Sequence, residues 1–168
     1  RLYKLAQDVK SGDSDNCESQ AAVYYWRNIF PNIENFIRDK EGLPPNNLLN
    51  YGYAILRAIV ARSLVISGLL PVSGIHHRNR YNAYCLADDI REPYRPYVDD
   101  LVISMIKNQK ELPEELSVEI KREMLMIPVI DVMINSTHSP LMIAVGQTTA
   151  SLAKCFGGDA RKIVYPEF

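Results

Sequence analysis

The feature that most constrains the fold is a long apolar segment, residues 47–67, which follows a diproline and is followed by Gly68. Its apolar side chains recur with the period of a helix, and a glycine directly after such a run is a common helix end. The segment therefore predicts one long helix, whose continuous apolar face must be buried by the rest of the chain. The opposite face of this helix would carry Asn50, Tyr53 and Arg57.

Most other segments also favour helices, and each is bounded by a proline, a glycine or a capping residue. Helices are predicted from a cap at Asp15 or Asn16 to Ile29, and at residues 82–91, 97–107, 111–126 and 140–156. Residues 129–135 form a short β-like run, which is the one strand that the pattern indicates. The predicted fold class is therefore all-α, an irregular multi-helix bundle that occupies residues 1–168 as a single domain.

Composition excludes several classes of protein. With 168 residues, of which 47% are hydrophobic, the chain can bury one core of its own. Its formal net charge is -1, so any DNA affinity would have to come from a local patch. Three cysteines without a CxxC pair argue against a disulfide framework or a zinc ribbon and favour the reducing cytoplasm. No apolar run reaches the roughly 18 residues that a membrane span needs, so we expect no membrane contact.

The segment with the densest chemistry is residues 74–96, GIHHRNRYNAYCLADDIREPYRP. Asp88, Asp89 and Glu92 stand at i, i+1 and i+4, so on a helix Glu92 would share a face with each aspartate. Like charges placed so closely repel each other unless a cation lies near them. That cation would be a divalent metal ion or one of the nearby basic side chains, which are His76, His77, Arg78, Arg80, Arg91 and Arg95. A further carboxylate, Glu18, stands at the start of the first predicted helix.

The spacing of His77 and Glu92 sets a geometric condition on any shared site. The two residues are fifteen positions apart, since 92 minus 77 is 15. In one unbroken helix that spacing corresponds to about 22 Å, too far for one ion to bind both. A shared site therefore requires a bend between them, which we predict within residues 78–82, where asparagines favour a turn.

Five sequence strings, taken in order, resemble a known family. They are DNCESQAAVYYW, NNLLNYGYAILRAIVARSLVISGLLP, GIHH, LADDIREPYRPYVDD and SPLMIAVGQTTASLAKCF. Together they resemble the C-terminal helical domain of the CRISPR adaptation integrase, the first of the Cas proteins. The most similar branch is the one that accompanies single-protein RNA-guided effectors, as judged from HHRNRYNAYCLADDI and the terminal YPEF.

The resemblance implies a metal-dependent catalytic site formed by Glu18, His77 and Glu92, which match the catalytic positions of the family. Two carboxylates and one imidazole suit Mg²⁺ or Mn²⁺ better than zinc, which prefers cysteine and histidine. We expect these three residues to be the metal ligands. Residues of a second rank, as supporting groups or contacts to DNA phosphates, are Asp89, Asn50, Tyr53, Arg57 and Arg78.

The resemblance also implies an activity and a set of partners. Family members are DNA endonucleases and integrases of CRISPR adaptation, in which a DNA 3′ hydroxyl attacks a phosphodiester and inserts a short foreign spacer into the CRISPR array. This transesterification needs no protein nucleophile. Implied partners are double-stranded DNA as prespacer and CRISPR repeat, a second copy of the chain, and a second adaptation protein, with the effector nuclease as a further candidate. Family members carry an N-terminal β-rich dimerisation domain, which we expect this chain to lack.

Plainer interpretations of the same residues stay open at this point. Glu18 would serve equally as a first-turn acid that complements the helix dipole, and His77 as a hydrogen-bonded histidine. Asp88 would pair with Arg91 or Arg80 on the surface. Two rival functions are a non-haem iron enzyme, with two histidines and one carboxylate at the metal, and a non-enzymatic helical module that binds a partner.

Overall fold

The computed structural model describes residues 1–10, 12–30, 32–34, 36–77, 79–107, 112 and 114–167. Within these residues the helices are α1 (Leu2–Asp8), α2 (Cys17–Ile29), α3 (Asn46–Ile66), α4 (Cys85–Arg91), α5 (Arg95–Ile106), α6 (Val118–Met124) and α7 (Leu141–Gly157). Short 3₁₀ turns lie at Glu92–Tyr94 and Ile127–Val129. The strands are β1 (Asp131–Ile134), β2 (Thr137–Pro140) and β3 (Pro166–Glu167).

The predicted long helix is α3, and it forms the centre of the domain. It packs against α7, α4 and α5, and the side chains of Leu49, Leu56, Val60 and Leu64 are fully buried. By length and composition alone α3 is apolar enough to cross a bilayer, although Arg57 and Arg62 interrupt its apolar run. Here α3 is instead the helix around which the hydrophobic core packs, because its neighbours cover its apolar side chains.

The start of α2 and the predicted N-cap at Asn16 are confirmed, but a different residue supplies the side chain that caps the helix. Asn16 is the N-cap residue and adopts a left-handed backbone with a φ of 53°, a conformation that asparagine tolerates better than most residues. The side chain that caps the helix belongs to Asp13, whose carboxylate accepts hydrogen bonds from the backbone N–H groups of Cys17 at 2.7 Å and Glu18 at 3.0 Å. Cys17, the first residue of this helix, is buried. The Asp13 carboxylate therefore orients the turn that carries Glu18.

The helices that surround the charged segment begin and end at different residues from those predicted. The helix predicted at residues 82–91 begins later, at Cys85. Pro93 does not separate it from the next helix, because the 3₁₀ turn Glu92–Tyr94 leads directly into α5, where Pro96 occupies the first turn. A proline is well tolerated at that position, since the first-turn N–H groups have no partner inside the helix. The helix predicted at residues 111–126 is shorter, at Val118–Met124 among the residues described.

A small antiparallel sheet corrects the all-α prediction. The predicted strand is present as β1, but β1 also pairs with β2 on one side and β3 on the other. β1 and β2 are joined by Asn135 and Ser136, which have φ values of 51° and 58°, as a tight hairpin turn requires. β2 is short, polar and ends at a proline, and β3 has two residues, so neither carries the apolar alternation by which strands are predicted.

Gly52 on α3 allows the close approach of α5 and α6. A Cβ atom at this position would lie 2.5 Å from Cγ1 of Val98 and 2.7 Å from Cε of Met124. We predict that Gly52→Ala lowers the free energy of unfolding by about 1–3 kcal/mol, because the core would be overpacked. Urea denaturation measures this change.

Gly146 on α7 offers the matched control, since a Cβ atom there would meet nothing nearer than Oγ of Ser63 at 4.0 Å. Gly146→Ala should leave stability unchanged or raise it by up to about 1 kcal/mol, because alanine favours a helix more than glycine does. Equal loss in both variants would contradict the packing explanation for Gly52.

Candidate active site

A surface cleft of about 710 Å³ brings together residues from distant parts of the sequence. Its polar lining consists of Glu18, His76, His77, Asp89, Glu92, Arg95 and Tyr165. Glu18 comes from α2, the histidines from the segment before α4, Asp89 from α4 itself, and Tyr165 from the segment before β3. The three predicted catalytic residues therefore line one cleft, together with Asp89 of the second rank.

The carboxylate of Asp89 organises the segment that carries the histidines. Its Oδ2 accepts hydrogen bonds from the backbone N–H groups of Ile75 at 2.6 Å and His76 at 3.0 Å. Its Oδ1 accepts one from the backbone N–H of His77 at 3.1 Å and lies 2.5 Å from Nδ1 of the same residue. One side chain thus holds three consecutive backbone groups and an imidazole ring in place.

These contacts determine the charge of Asp89. Burial opposes ionisation of this carboxyl, but the hydrogen bonds from His76, from the His77 ring and backbone, and from Ile75 outweigh it and hold its pKa below the ordinary value. Asp89 is therefore ionised at neutral pH. With Nδ1 of His77 facing this anion, Nε2 is the ring nitrogen left for a ligand, an arrangement that is common for metal-binding histidines.

The bend required between His77 and Glu92 is present. The described residues on either side of position 78, 74–77 and 79–84, form no regular helix, and helix α4 begins only at Cys85. Within this stretch the side chain of Asn79 accepts a hydrogen bond from the backbone N–H of Tyr81 at 3.0 Å, and that of Asn82 accepts one from Tyr84 at 2.9 Å. Such asparagine turns reverse the chain locally, as the sequence predicted.

Gly74 makes this compact turn possible. A Cβ atom at Gly74 would collide with the backbone oxygen of His77 and approach Cβ of Cys85 at 2.7 Å. Because the first of these atoms belongs to the backbone, the clash could not be relieved by a side-chain rotation. The first residue of the GIHH string is thus a steric requirement of the histidine segment.

Glu92 lies in the 3₁₀ turn after α4, where arginines surround it. Nη1 of Arg95 lies 2.9 Å from one carboxylate oxygen and 3.2 Å from the other, and Nε of Arg91 lies 3.9 Å from the carboxylate. The Arg95 guanidinium also stacks over the ring of Tyr53, with 4.5 Å between its central carbon and the ring centroid. The arginines therefore offset the negative charge that Glu92 adds to the cleft.

A buried carboxylate in the pocket next to the cleft, which shares Glu92 and Arg95 with it, connects the helices that carry the cleft residues. Asp99 on α5 is only 2% exposed and accepts hydrogen bonds from the hydroxyls of Tyr25 on α2, at 2.6 Å, and Tyr53 on α3. Burial raises the pKa of Asp99 above its ordinary value, against the opposing influence of both tyrosines and of Arg95. Tyr25 lies seven residues after Glu18, two helical turns along the same face, so its bond to Asp99 holds Glu18 over the cleft.

Asp88 points away from the cleft that its neighbour lines. Its carboxylate lies 3.3 Å from Nη2 of Arg91 and 3.4 Å from Nε of Arg57, and it accepts a hydrogen bond from Asn82 at 2.7 Å. The predicted pairing with Arg91 is confirmed. The predicted surface position is wrong, because Asp88 is buried. Arg80, the other proposed partner, donates to the hydroxyl of Tyr81 instead.

The three residues predicted on the polar face of α3 do not share one exposed surface. Tyr53 is buried against Asp99, since α5 covers that part of α3. Asn50 accepts a hydrogen bond from Nη2 of Arg38 at 2.6 Å, and Arg57 is half-exposed beside Tyr84. Contacts of Asn50, Tyr53 and Arg57 with DNA stay predictions, and Arg78 lies outside the described residues.

Three residues around the cleft were missed as site residues by the sequence analysis: Tyr25, Asp99 and Tyr165. The aspartate and its tyrosine partner are 74 positions apart, so no local spacing signals their contact. Tyr165 belongs to the terminal YPEF string, which resembles one branch of the family but does not predict where the residue lies in the fold. These residues reach the site only through tertiary packing.

The residues that line the cleft offer the carboxylate oxygens of three acids and the imidazole nitrogens of His76 and His77. Carboxylate oxygens are the ligands that Mg²⁺ and Mn²⁺ prefer. These residues are not gathered around a common centre, however. Among the described residues, no three histidine, cysteine, aspartate or glutamate side chains lie close enough together to hold a metal ion. The donor atoms fit a hard divalent cation by their chemistry. Their present arrangement does not, because the Glu92 carboxylate forms an ion pair with Arg95.

The fold is similar to that of a solved structure, "Casposase bound to integration product", with a TM-score of 0.74. The match covers 96% of this chain and 52% of that chain at 20% sequence identity. At this identity it shows the fold alone, which is the helix-rich fold shared with that structure. Residues 12–126 match the family model described as CRISPR associated protein Cas1. The chain therefore belongs to the Cas1 family, which confirms the resemblance found in the sequence.

Two relatives show how far the similarity extends. The chain is 38% identical over 168 residues to the "CRISPR-associated endonuclease Cas1" of Neisseria meningitidis serogroup C, a match that covers 99% of this chain and 54% of the relative. It is 34% identical over 155 residues to a "CRISPR-associated endonuclease Cas1 2" of Pyrobaculum aerophilum, covering 91% of this chain and 52% of the relative. The chain thus spans about half the length of these relatives.

The lowered pKa of Asp89 predicts how stability depends on pH. The folded-state pKa lies below the unfolded value of about 3.9, so the ionised carboxylate stabilises the fold fully above about pH 4. This contribution is lost as the pH falls through the folded-state pKa. Asp89→Asn should therefore be less stable than the wild type at neutral pH and should lose less stability in acid. Thermal unfolding between about pH 6 and about pH 3 measures both effects.

The control for this experiment is Asp100→Asn, which removes an exposed carboxylate from α5. That variant should keep the acid dependence of the wild type. An Asp89→Asn protein that loses stability in acid as steeply as the wild type would show that the hydrogen bonds around Asp89 do not hold its pKa down.

Proposed function

We propose that this chain is the DNA-processing domain of a CRISPR adaptation integrase and endonuclease, which joins a DNA 3′ hydroxyl to a phosphodiester of the CRISPR array. The observation that carries this proposal is the convergence of Glu18, His77, Asp89 and Glu92 on one cleft from three separate segments. Membership of the Cas1 family supports it, since curated relatives are named endonucleases. The similar fold of a casposase bound to its integration product supports a joining reaction.

We propose Mg²⁺ or Mn²⁺ as the cofactor, with Glu18, His77 and Glu92 as its ligands. Such an ion neutralises charge on the phosphate oxygens as the attacking and leaving oxygens exchange. The carboxylates would supply oxygen ligands and Nε2 of His77 a nitrogen ligand. Because Glu92 is paired with Arg95, its carboxylate would have to leave that guanidinium in order to bind the ion.

The remaining residues of the cleft would orient these ligands and the DNA. Asp89 would hold the His77 ring with Nε2 available, and Arg95, once released by Glu92, would face a phosphate of the bound strand. Arginine is well suited to this contact, since its planar guanidinium binds phosphate oxygens in pairs. The attacking group is the DNA hydroxyl, so no serine or cysteine of the chain would act as a nucleophile.

The partners proposed are those that the family resemblance implies. They are double-stranded DNA, a second copy of the protein and a second adaptation protein, with the effector nuclease as a further candidate. With a net charge of -1, the chain would bind DNA through a local surface rather than through its overall charge. Arg95, which lines the cleft, would supply part of such a surface.

Replacement of Glu18 tests the proposed reaction. In the full-length protein, Glu18→Gln should slow strand transfer by a factor on the order of 10² or more, because a charged ligand is lost where charge develops in the transition state. Its melting temperature should hardly change, since the side chain is exposed. A labelled oligonucleotide with a 3′ hydroxyl and a duplex that contains the CRISPR repeat report the reaction.

Glu123→Gln, at an exposed acid on α6 that is not part of the cleft lining, is the matched control and should react like the wild type. Strand transfer by Glu18→Gln at the wild-type rate would remove this residue from the mechanism. Absence of strand transfer by the wild-type protein itself would favour the non-enzymatic interaction module.

The cofactor proposal has a test that does not depend on activity. At a Mn²⁺ concentration 100 times its Kd, the wild-type protein should gain about 2.7 kcal/mol of stability, seen as a higher melting temperature. His77→Ala should lose this gain. The control is His138→Ala, because His138 forms a similar pair with Asp131 at 2.5 Å but lies on the β1–β2 hairpin. An equal gain in His77→Ala would rule out His77 as a ligand.

A further inference from the structure

The chain after α7 returns across the domain and fixes the backbone on both sides of Tyr165. On the C-terminal side, β3 pairs with β1, and the carbonyl oxygen of Glu167 accepts a hydrogen bond from the hydroxyl of Tyr97 at 3.0 Å. On the N-terminal side, the backbone N–H of Val164 donates to Oγ of Ser151 at 2.9 Å. Tyr165 is therefore held between two anchored neighbours rather than on a free chain end.

This anchoring places Tyr165 in the lining of the cleft, with Glu18, His77 and Asp89. The residue is 44% exposed, so it is partly packed against the domain and partly accessible from the cleft that it lines. In the described part of the chain its hydroxyl has no hydrogen-bond partner. A sheet pairing and two hydrogen bonds thus fix the backbone around Tyr165, while its hydroxyl has no hydrogen-bond partner among the described residues.

The protonation state of this hydroxyl makes it a donor. Burial raises the pKa of Tyr165 above its ordinary value, and the electrostatic influence of the nearby Cys155 and Asp89 raises it further. A phenol with a pKa at or above its usual value of about 10 keeps its proton at neutral pH. Tyr165 therefore presents an O–H group to a cleft whose other polar side chains include three carboxylates.

The chemistry of the cleft indicates which ligand group such a donor would meet. The carboxylates of Glu18, Asp89 and Glu92 are acceptors and cannot bind a phosphate oxygen without a cation between them. A neutral hydroxyl can do so directly, without adding charge to a site that has to balance phosphates and carboxylates. Tyrosine hydroxyls are among the groups that commonly contact the DNA backbone.

We propose that Tyr165 is a substrate-contacting residue, whose hydroxyl donates a hydrogen bond to a phosphate oxygen of the DNA strand bound in the cleft. This inference rests on the proposed function, because it requires that DNA occupies the same cleft. It assigns the C-terminal segment a role in substrate binding in addition to its place in the sheet.

Tyr165→Phe tests the proposal by removing the hydroxyl and keeping the ring. In the full-length protein, DNA affinity measured by fluorescence anisotropy, or kcat/KM for strand transfer, should fall by about ten- to a hundredfold, the usual range for a hydrogen bond to a charged group. The melting temperature should match that of the wild type, since the hydroxyl has no partner within the described protein. The matched control is Tyr3→Phe, at a 78% exposed tyrosine on α1 outside the cleft lining, which should not change either measurement.

Each outcome is distinguishable from failure of the proposed function. If the wild type joins DNA and Glu18→Gln does not, but Tyr165→Phe binds and reacts like the wild type, the role of the Tyr165 hydroxyl is overturned and the function stands. If Tyr165→Ala is impaired while Tyr165→Phe is not, the ring makes the contact and the hydroxyl proposal is likewise overturned. If the wild type neither binds nor joins DNA, both the function and this inference fail.

Discussion

The arrangement of the cleft depends on one buried carboxylate, that of Asp99. It accepts the hydroxyls of Tyr25 and Tyr53, and so connects α2, α3 and α5 at a single point. α2 carries Glu18, while the 3₁₀ turn that leads into α5 carries Glu92. Burial of a carboxylate is costly unless hydrogen bonds offset it, so the separation of these helices is constrained by the need to satisfy Asp99. The relative position of two catalytic candidates thus follows from a residue that neither of them touches.

Asp89 fixes the histidine segment by hydrogen bonds, as Asp99 fixes the helices. Its neighbour Asp88 faces a different set of partners. On a helix, consecutive side chains point about 100° apart, so only one of the two aspartates can face the cleft. Asp89 does so and holds His77, whereas Asp88 turns towards Arg57 and Arg91. The repulsion expected between these carboxylates is therefore avoided by separate sets of partners. The positive charges of Arg57, Arg91 and Arg95 offset the negative charges of Asp88 and Glu92, whereas backbone N–H groups and the His77 ring hold Asp89.

Much of the site was predictable because its residues lie in local patterns. The helix that begins near Asn16 places Glu18 in its first turn, and the fifteen-residue spacing of His77 and Glu92 requires the bend that lies between them. The sheet was less accessible, because β2 and β3 are short and have no apolar alternation of their own. For the same reason Tyr165 was not predicted, since its position depends on the pairing of β3 with β1 across more than thirty residues of sequence.

The sequence by itself determined the family, the helical periodicity and the identity of the acids and the histidine that line the cleft, because these properties are carried by residue types at short, regular spacings. Only the tertiary structure decided which aspartate faces the cleft, that Tyr53 is buried and that Tyr25, Asp99 and Tyr165 reach the site. Those outcomes depend on contacts between residues far apart in the chain. Such contacts depend on how well whole helices and strands bury their apolar faces and satisfy their polar groups together. The spacing of residues within one segment does not predict them.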